Sequence, residues 1–488
     1  MVFVVIGLIH LYLWKRLVRD PFGKGRASRI GAVAAVVFAL LIPATLIGTR
    51  AGFAKWLAWP GYLWLALMFY LLVVLAVLEI PRLIANLWLG AREKRTGGER
   101  PNSDETADHG DPRHAATAAT SSAPAKASPG TPAAGTPAAG TPAAGTPAAG
   151  TTTAGTTTVG TPAAGTTTAG TPAAGTTTAG TPAARTTTAG TTTAAAEATA
   201  PAPAGTPPMG PDGRPGVDRR LVLARGAAIF AGLTAAGVTG YGVKTATGGP
   251  RLDRVQIPIA KLPRGMDGTR LAVVSDIHLG PLTGVRHTER IVDLINSVDA
   301  DVVCVVGDLV DGSVAELGRV AAPLAGIRSR RGAYFVTGNH EYYSGYKQWV
   351  DEVARLGVRP LRNERLELDG LDLAGVNDLG GTEFGDGPDY ERALGNREPD
   401  RPVVLMAHQP VVARDVSRYG VDLQVSGHTH GGQMVPFNLL VKLEQPVVSG
   451  YGKVDGVPVY VTNGAGFWGP PVRVGAPPQV TLIELRAP

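Results

Sequence analysis

Cysteine is almost absent from this chain, since Cys304 is the only one among 488 residues. A single thiol excludes an intramolecular disulfide framework and any zinc cluster built from cysteine. Charge is also sparse, because charged residues make up 18% of the chain, against about 25% in an average globular protein. Gly (64) and Pro (39) together exceed a fifth of the residues, so part of the chain is not expected to form a packed domain.

Acidic residues are scarce in the N-terminal half. The formal net charge is +6, yet residues 252–488 hold 24 basic and 29 acidic side chains. Residues 1–251 therefore carry an excess of 11 positive charges. This distribution excludes a uniformly basic nucleic-acid-binding protein, and no nucleic-acid partner is expected.

Long apolar runs in residues 1–96 predict a membrane region with three transmembrane helices. Residues 30–49 and 56–78 contain no charged side chain. At about 1.5 Å per residue, each is long enough to cross a hydrocarbon core of roughly 30 Å. Residues 2–14 are also uncharged but shorter, so they span only if the basic side chains that follow reach back to the headgroups.

A fourth moderately apolar run lies within residues 217–251 and follows Arg219 and Arg220. It is interpreted as a transmembrane helix or as an internal segment that resembles a twin-arginine export signal. Basic residues in the loop 15–29 place that loop in the cytoplasm, because positive charges are retained on the cytoplasmic side. Counting helices from this loop predicts a multi-pass protein of the cell membrane whose C-terminal region is extracytoplasmic.

A repetitive segment separates the third apolar run from the fourth. Residues 131–195 consist of thirteen five-residue units, mostly TPAAG or TTTAG. These units carry almost no large apolar side chain, so burial cannot offset the entropy of ordering them. Residues 97–216 are therefore predicted to be a disordered linker. The charge pattern places this linker in the cytoplasm, whereas its Thr/Pro/Ala composition is also typical of glycosylated extracellular tracts.

Residues 252–488 alternate short apolar runs with stretches of helical spacing, which predicts an α/β layered domain. Five runs are expected to be buried strands: residues 271–275, 301–306, 333–337, 403–407 and 422–426. Helices are expected over residues 285–297, 314–327 and 345–356. Ligands of such sheets collect beyond the carboxyl ends of the strands, so that edge is where a site is expected.

A polar cluster follows each of these five strands. The clusters hold five of the six histidines after residue 252, together with acidic and amide side chains. Their members are Asp276, His278, Asp308, Asn339, His340, Glu341, His408, His428 and His430. Imidazole and carboxylate ligands suit Mn, Fe or Zn, and they are too many for one tetrahedral ion. The sequence therefore predicts two divalent metal ions, a pair that activates water for attack on a phosphoryl group.

The order D-x-H, G-D, G-N-H-E, H and G-H-T-H resembles the calcineurin-like metallophosphoesterase superfamily, over about half of the chain. The resemblance implies a four-layer α/β/β/α sandwich. It also implies that Asp276, His278 and His430 hold one metal, that Asn339, His408 and His428 hold the other, and that Asp308 bridges them. His340 would stabilise the transition state or protonate the leaving oxygen, and Glu341 would orient it.

The run GHTHGGQ and the preceding membrane region resemble the bacterial branch of membrane-associated phosphodiesterases. The resemblance implies a membrane-anchored hydrolase of phosphodiester or pyrophosphate bonds, acting on a phosphorylated small molecule, a lipid or a cell-envelope substrate. A non-enzymatic membrane receptor or scaffold that binds a phosphorylated ligand is the alternative. No obligate protein partner is evident.

Arg473 is a candidate substrate-binding residue. Together with Phe467 and Trp468 in the Gly/Pro-rich run 464–471, it could form an aromatic and cationic wall for a phosphorylated lipid. The alternative is that this run packs against the sheet edge.

Overall fold

The computed structural model describes residues 1–96 and 219–488. The predicted linker at residues 97–216 lies outside the described residues. The described chain comprises a set of apolar helices and a C-terminal α/β domain. The helices that precede this domain are α1 (Val2–Trp14), α2 (Asp20–Phe22), α3 (Arg26–Arg50), α4 (Ala58–Thr96) and α5 (Arg219–Thr247).

Three of the described helices are long and apolar enough to cross a membrane. These candidate spans are Arg26–Arg50, Lys55–Pro81 and Leu221–Thr247. The segment that resembles an export signal thus lies in α5, whose apolar span Leu221–Thr247 is 27 residues long. The first apolar run forms α1, whose 13 residues fall short of the roughly 20 residues that a spanning helix needs.

The C-terminal domain contains two six-stranded sheets. Its strands are β1 (Arg251–Pro258), β2 (Arg270–Val274), β3 (Val302–Val306), β4 (Ala333–Val336), β5 (Arg359–Pro360), β6 (Glu364–Leu368), β7 (Leu371–Gly375), β8 (Val403–Met406), β9 (Leu423–Ser426), β10 (Gly450–Val454), β11 (Val457–Val461) and β12 (Gln479–Arg486). The strand order is β1-β12-β2-β3-β4-β5 in one sheet and β10-β11-β9-β8-β7-β6 in the other. Strands β2 to β5 are mutually parallel, as are β7, β8, β9 and β11.

Helices cover the outer face of each sheet. The helices of the domain are α6 (Val285–Asn296), α7 (Val314–Ala321), α8 (Asn339–Tyr343), α9 (Tyr346–Arg355), α10 (Tyr390–Leu394), α11 (Val412–Asp415) and α12 (Asn438–Val441). Helices α6, α7 and α9 pack on the first sheet, whereas α10 and α11 pack on the second. The order of layers is α/β/β/α, so the expected four-layer sandwich is confirmed.

The alternation of side chains along the central strands explains these layers. In β2, Ala272 and Val274 face the helices, whereas Leu271 and Val273 face the second sheet. Successive side chains of a strand point to opposite faces, so a strand that lies between two layers must be apolar on both. Uninterrupted apolar runs are therefore the pattern of this core, and Cys304 is one of its buried members.

The five predicted strands agree with the observed ones to within one residue at each end. Because the central strands are parallel, their carboxyl ends meet along one edge of the sandwich. The apolar helices contact the domain near this edge. The backbone N–H of Arg473 donates to the carbonyl of Gly242 in α5 at 2.9 Å, and Lys55 pairs with Glu316 at 2.8 Å.

Candidate metal centre

The loops that follow five strands bring the predicted ligands together. Asp276 and Asp308 each lie two residues after a strand of the first sheet, β2 and β3. His408 and His428 stand in the same position after β8 and β9 of the second sheet. The sandwich thereby brings donors from both sheets to one edge. There the predicted ligands form two groups that could hold a metal ion, and His278 forms a third such group with Asp311 and His340.

The first group consists of Asp276, His278 and His430. The Nε2 atoms of the two histidines lie 3.0 Å apart, and Nε2 of His430 is 3.3 Å from Oδ1 of Asp276. The carboxylate of Asp276 also accepts hydrogen bonds from the backbone N–H of His428 at 3.0 Å and from the hydroxyl of Ser275. These bonds fix the carboxylate in place before a metal binds.

The second group consists of Asp308, His408 and His428, with Asn339 beside it. Oδ2 of Asp308 is 3.2 Å from Nε2 of His408 and 3.8 Å from Nε2 of His278 in the first group. Nδ1 of His428 lies 3.1 Å from Oδ1 of Asn339. Asp308 therefore stands between the two groups, where the resemblance expects a bridging ligand.

The donor atoms fit a cation. Nδ1 of His408 donates to the carbonyl of Val306 at 2.8 Å. Nε2 of His408 faces the carboxylate oxygen of Asp308 at 3.2 Å and has no hydrogen-bond partner. These two buried atoms need a positive charge between them: without a metal, a proton on Nε2 supplies it, since Asp308 raises the pKa of His408, and a divalent metal ion would supply it in place of that proton.

Electrostatics hold the carboxylate of Asp308 in its ionised form. Burial alone would raise the pKa of Asp308, but His408 and His340 lower it well below its ordinary value. Burial instead raises the pKa of Asp276, with a further contribution from the charge of Asp308. Two carboxylates this close repel each other when both are ionised, and bound cations would relieve that repulsion.

The backbone is strained at the predicted ligands. Five of the ten described non-glycine residues with positive φ belong to the predicted ligand set, namely Asp276, His278, Asp308, His428 and His430. Such conformations cost of order 1–3 kcal/mol each and persist where the surrounding structure enforces them. A Cβ on Gly307, which has a φ of +75°, would lie 2.7 Å from Nδ1 of His408. The close approach of these loops therefore requires glycine at that position.

His340 is paired with Asp311, and together with His278 these side chains make up the third group that could hold a metal ion. Nδ1 of His340 is 2.7 Å from Oδ1 of Asp311, and the same oxygen is 3.0 Å from Nδ1 of His278. Burial would lower the pKa of His340, but the carboxylates of Asp308 and Asp311 raise it to about 9. The imidazole is therefore protonated at neutral pH, with Nε2 free of the bond to Asp311.

Glu341 does not orient His340, contrary to the expectation from the resemblance. Its carboxylate accepts backbone N–H groups from Gly338 at 2.6 Å, Asp308 at 3.0 Å and Leu309 at 2.7 Å. Glu341 occupies the third position of α8 and caps the start of that helix, a common role for glutamate. It holds the loops after β3 and β4 together, and the residue that contacts the ring of His340 is Asp311.

Arg473 is not part of a substrate-facing wall. Its side chain is completely buried, and it donates to the carbonyls of Gly466 at 3.0 Å and His430 at 2.7 Å. A third donor faces Nδ1 of His430 at 3.0 Å. Burial lowers the pKa of Arg473 to about 9, so it is charged at neutral pH. Because a guanidinium only donates, it fixes the orientation of His430 from behind.

Aromatic side chains form the rim of the site. The ring centroid of Trp468 lies 6.2 Å from that of His340, and the ring centroid of Tyr343 lies 5.8 Å from it. Both side chains are more than half exposed. The guanidinium of Arg50, at the end of α3, lies 5.8 Å from the ring centroid of Tyr343. The apolar helices thus contribute a cation next to the rim.

The sequence interpretation missed Asp311. The signal was its position three residues after Asp308, because a short turn beyond β3 returns the chain towards the same edge. The seven predicted ligands and His340 lie together at the edge formed by the carboxyl ends of the strands. Trp468 lies beside His340 at the same edge. Phe467 is buried and lines no open surface.

The chain is similar to known proteins over its C-terminal domain. The family described as calcineurin-like phosphoesterase matches residues 269–432. A Danio rerio protein named "Transmembrane protein with metallophosphoesterase domain" is 38% identical over 260 residues, which are 50% of this chain and 60% of that protein. An uncharacterized metallophosphoesterase of Aquifex aeolicus is 33% identical over 241 residues, which are 48% of this chain and 92% of that protein.

The similarity reaches both vertebrate and bacterial proteins, and the chain spans about 60% of the length of the vertebrate relatives. Among solved structures, a 5'-nucleotidase precursor of Thermus thermophilus shares 16% identity, with a TM-score of 0.29. That comparison covers 44% of this chain and 54% of the nucleotidase.

Proposed function

This chain belongs to the calcineurin-like phosphoesterase family, and on that premise we propose that it is a membrane-anchored hydrolase of phosphodiester or pyrophosphate bonds that uses two divalent metal ions. The observation that carries the proposal is the convergence of Asp276, His278 and His430 with Asp308, His408 and His428 in two adjacent groups. Mn, Fe or Zn suits this set of imidazole and carboxylate donors.

In this proposal, the predicted ligands bind the metal ions and His340 transfers a proton. Two ions held by these ligands would polarise the phosphoryl oxygens and supply a water of lowered pKa. Asp308 would bridge the ions, and Asn339 would complete the second group. His340, protonated at neutral pH and oriented by Asp311, would donate the proton from Nε2 to the departing oxygen.

We place the metal centre on the extracytoplasmic side of a multi-pass membrane protein. The basic loop between α1 and α3 is expected in the cytoplasm, and Arg225 near the start of α5 donates to the carbonyl of Pro21 in that loop at 3.0 Å. The opposite ends of the helices, at Lys55 and Gly242, contact the C-terminal domain. The domain and the basic loop therefore belong to opposite faces of the membrane.

The test uses the full-length chain in detergent with added Mn²⁺ and bis(p-nitrophenyl) phosphate. The wild type should hydrolyse this diester, and Asp308→Ala should reduce the rate by at least about 10²-fold, because it removes the bridge between the two ions. His340→Ala should reduce it by about 10²–10⁴-fold, the usual contribution of a general acid. The matched control is Asp372→Asn, a buried carboxylate that pairs with Arg365 and Arg401 instead.

A receptor that binds phosphorylated ligands without turnover would give a different result. It would retain metal and ligand binding, but neither diesters nor pyrophosphates would be cleaved with any of the three metals. Sidedness is tested separately by proteolysis of intact cells. Protection of the C-terminal domain under conditions that digest an extracytoplasmic marker would contradict the proposed orientation.

A further inference from the structure

An apolar segment directly follows the metal-binding loop. Residues 435–443 read VPFNLLVKL and include the short helix α12. Their large apolar side chains are exposed, from 41% for Val435 to 84% for Leu443. The exposed members of the segment are Val435, Phe437, Leu439, Leu440 and Leu443. A contiguous exposed patch of this kind on a soluble domain marks a contact with a partner or a membrane.

The base of the segment is ordered by the metal-binding loop. The backbone of Val435 donates to the carbonyl of Val474 at 3.0 Å, and Val474 donates to the carbonyl of Gln433 at 2.9 Å. At the other end, the side chain of the buried Gln445 accepts the backbone N–H of Val411 at 3.2 Å. The hydroxyl of Thr429, between two metal ligands, donates to the carbonyl of Val448 at 2.6 Å. The exposed apolar side chains are therefore displayed on a fixed support.

The segment is continuous with the apolar helices. Met434, the residue before it, packs in the same cluster as Val472 and side chains of α4 and α5. Next to Val472, the backbone N–H of Arg473 donates to the carbonyl of Gly242, so Gly242 is the residue of α5 that the domain contacts here. No other described partner covers the exposed side chains, and the nearest apolar environment is the one that the spanning helices occupy.

The position of Gly242 gives the depth of this contact. It lies five residues before the end of the span Leu221–Thr247, which is about 7–8 Å along the helix axis. The full span of 27 residues measures about 40 Å, close to the roughly 40–45 Å of a bilayer with its headgroups. Gly242 would thus lie near the boundary between hydrocarbon and headgroups, and the segment would begin at that level.

The same side of the domain presents other groups suited to a lipid surface. Trp56 and Trp59, at the start of the neighbouring span, are exposed, and such aromatic side chains favour the membrane interface. Arg50 lies against Tyr343 at the rim of the site, where a cation favours an anionic headgroup. Trp468 is exposed beside them.

We propose that residues 435–443 insert into the outer lipid layer and hold the metal centre at the bilayer surface, so that its substrate is a phosphate-bearing lipid. The assignment of a substrate rests on the proposed function, whereas the insertion does not. The segment then acts as an interfacial anchor of the catalytic domain, in addition to the spanning helices. The phosphate of a lipid would reach the site past Arg50 and Trp468.

The first experiment measures depth in the full-length protein. Cys304→Ala removes the single thiol, and Leu440→Cys, Leu443→Cys or Asp400→Cys then carries an NBD fluorophore. Asp400 is the control, because it is exposed next to the start of β8, at the sheet edge opposite the metal centre. In nanodiscs of phosphatidylethanolamine and phosphatidylglycerol, brominated lipids should quench the labels at positions 440 and 443 at least twofold more than the label at 400.

Two outcomes would overturn the insertion. Equal quenching at all three positions would mean that the segment stays in water. A blue-shifted emission at 440 and 443 without lipid quenching would mean that another protein surface covers them. Because labelling needs no turnover, this arm gives the same answer whether or not the chain is a hydrolase.

The second experiment tests the lipid substrate with phosphatidyl-p-nitrophenol in vesicles and soluble bis(p-nitrophenyl) phosphate. The double variant Leu440→Gln, Leu443→Gln should lose about tenfold or more of its rate on the vesicle ester relative to the soluble one, because insertion depends on buried apolar area. An equal loss on both esters would contradict the proposal. If the wild type cleaves neither ester, the proposed function fails, and the depth measurement alone decides the insertion.

Discussion

Oδ1 of Asp311 lies 2.7 Å from Nδ1 of His340, and this contact, together with the charge of Asp308, raises the pKa of the histidine. Asp311 is itself ionised, because His278 and His340 lower its pKa to about 2 against the opposing effect of burial. The carboxylate therefore stabilises the imidazolium form of His340 and directs its Nε2 away from Asp311. Together with Asp308, this pair explains how a histidine in a crowded, partly buried site is protonated at neutral pH.

Asp311→Asn should lower the alkaline limit of the reaction. The pKa of His340 is raised to about 9, so the protonated donor is present below that pH and is lost as the pH rises through it. Loss of the Asp311 charge removes part of this increase, because Asp308 still raises the pKa of His340, and the alkaline limb of kcat should move to lower pH. At neutral pH we expect kcat to fall by about 10–100-fold, as for other groups that orient a site residue.

The measurement is a pH–rate profile with bis(p-nitrophenyl) phosphate at saturating Mn²⁺. Asp372→Asn is the control, since Asp372 is a fully buried carboxylate of the sheet core, whereas the side chain of Asp311 is 24% exposed. A uniform loss of rate at every pH in Asp311→Asn, with an unmoved alkaline limb, would show that Asp311 only supports the fold.

Arg473→Met should weaken metal binding at the first group. The guanidinium holds His430 through its carbonyl and its Nδ1, so its loss frees the ring to rotate. Removal of such outer contacts typically costs 10–100-fold in metal affinity, by order of magnitude. Titration with Mn²⁺, followed by metal analysis after gel filtration, should show one retained and one weakened site.

The control for this variant is Arg401→Met, which removes an arginine paired with Asp372 and Glu367, outside the metal centre. Arg473→Lys should restore little of the lost metal affinity. An ammonium group lacks the planar fork of donors with which the guanidinium contacts both the carbonyl and Nδ1 of His430. Full occupancy of both sites in Arg473→Met would contradict a positioning role.

The strands, and the edge at which the candidate ligands lie, were predictable from the sequence for the same reason. Apolar runs such as that of β3 must be strands buried on both faces, and in parallel sheets the residues that follow them share one edge. The local sequence pattern is sufficient to place Asp308 and His408 at this edge, because each lies within two residues of a strand end.

Contacts between distant loops were not predictable in this way. Glu341 and Arg473 carry charges that suggest an exposed or catalytic role, yet both are buried and serve backbone groups of neighbouring loops. Their surroundings depend on how the loops after β3, β4 and β11 close over one another. The apolar run of α1 has only 13 residues. Whether a run of that length spans a membrane depends on the basic side chains that follow it, which must reach back to the headgroups.

His287 should make the protein sensitive to acid. Burial is the main reason why its pKa is lowered to about 4, against an ordinary value near 6.5. The unfolded chain therefore binds a proton more readily than the folded one, so stability is complete above about pH 6.5 and declines as the pH falls towards 4. At pH 5 the loss from this group is about 2 kcal/mol.

Thermal unfolding in detergent at pH 8 and pH 5 measures this effect. His287→Gln lacks the titrating group, so its Tm should fall less between the two pH values than the Tm of the wild type. The other acidic groups contribute equally to both proteins and cancel in the comparison. An identical decrease in Tm for both would exclude His287 as a source of acid sensitivity.

Gly242→Ala and Gly240→Ala should separate docking of the catalytic domain from helix propensity. A Cβ on Gly242 would collide with Cγ1 of Val472 and lie 2.9 Å from Cγ2 of Val474, whereas a Cβ on Gly240 meets nothing within 4 Å. Both substitutions change helix propensity by the same amount, so any difference between them reports the contact with Val472 and Val474.

Overpacking of the kind expected for Gly242→Ala costs about 1–3 kcal/mol. Gly242→Ala should therefore lower the Tm of the C-terminal domain by several degrees relative to Gly240→Ala, and limited proteolysis between α5 and β1 should become faster. Equal Tm values and equal cleavage rates would mean that the domain does not rest on α5 at this position, and the depth assigned to residues 435–443 would lose its reference point.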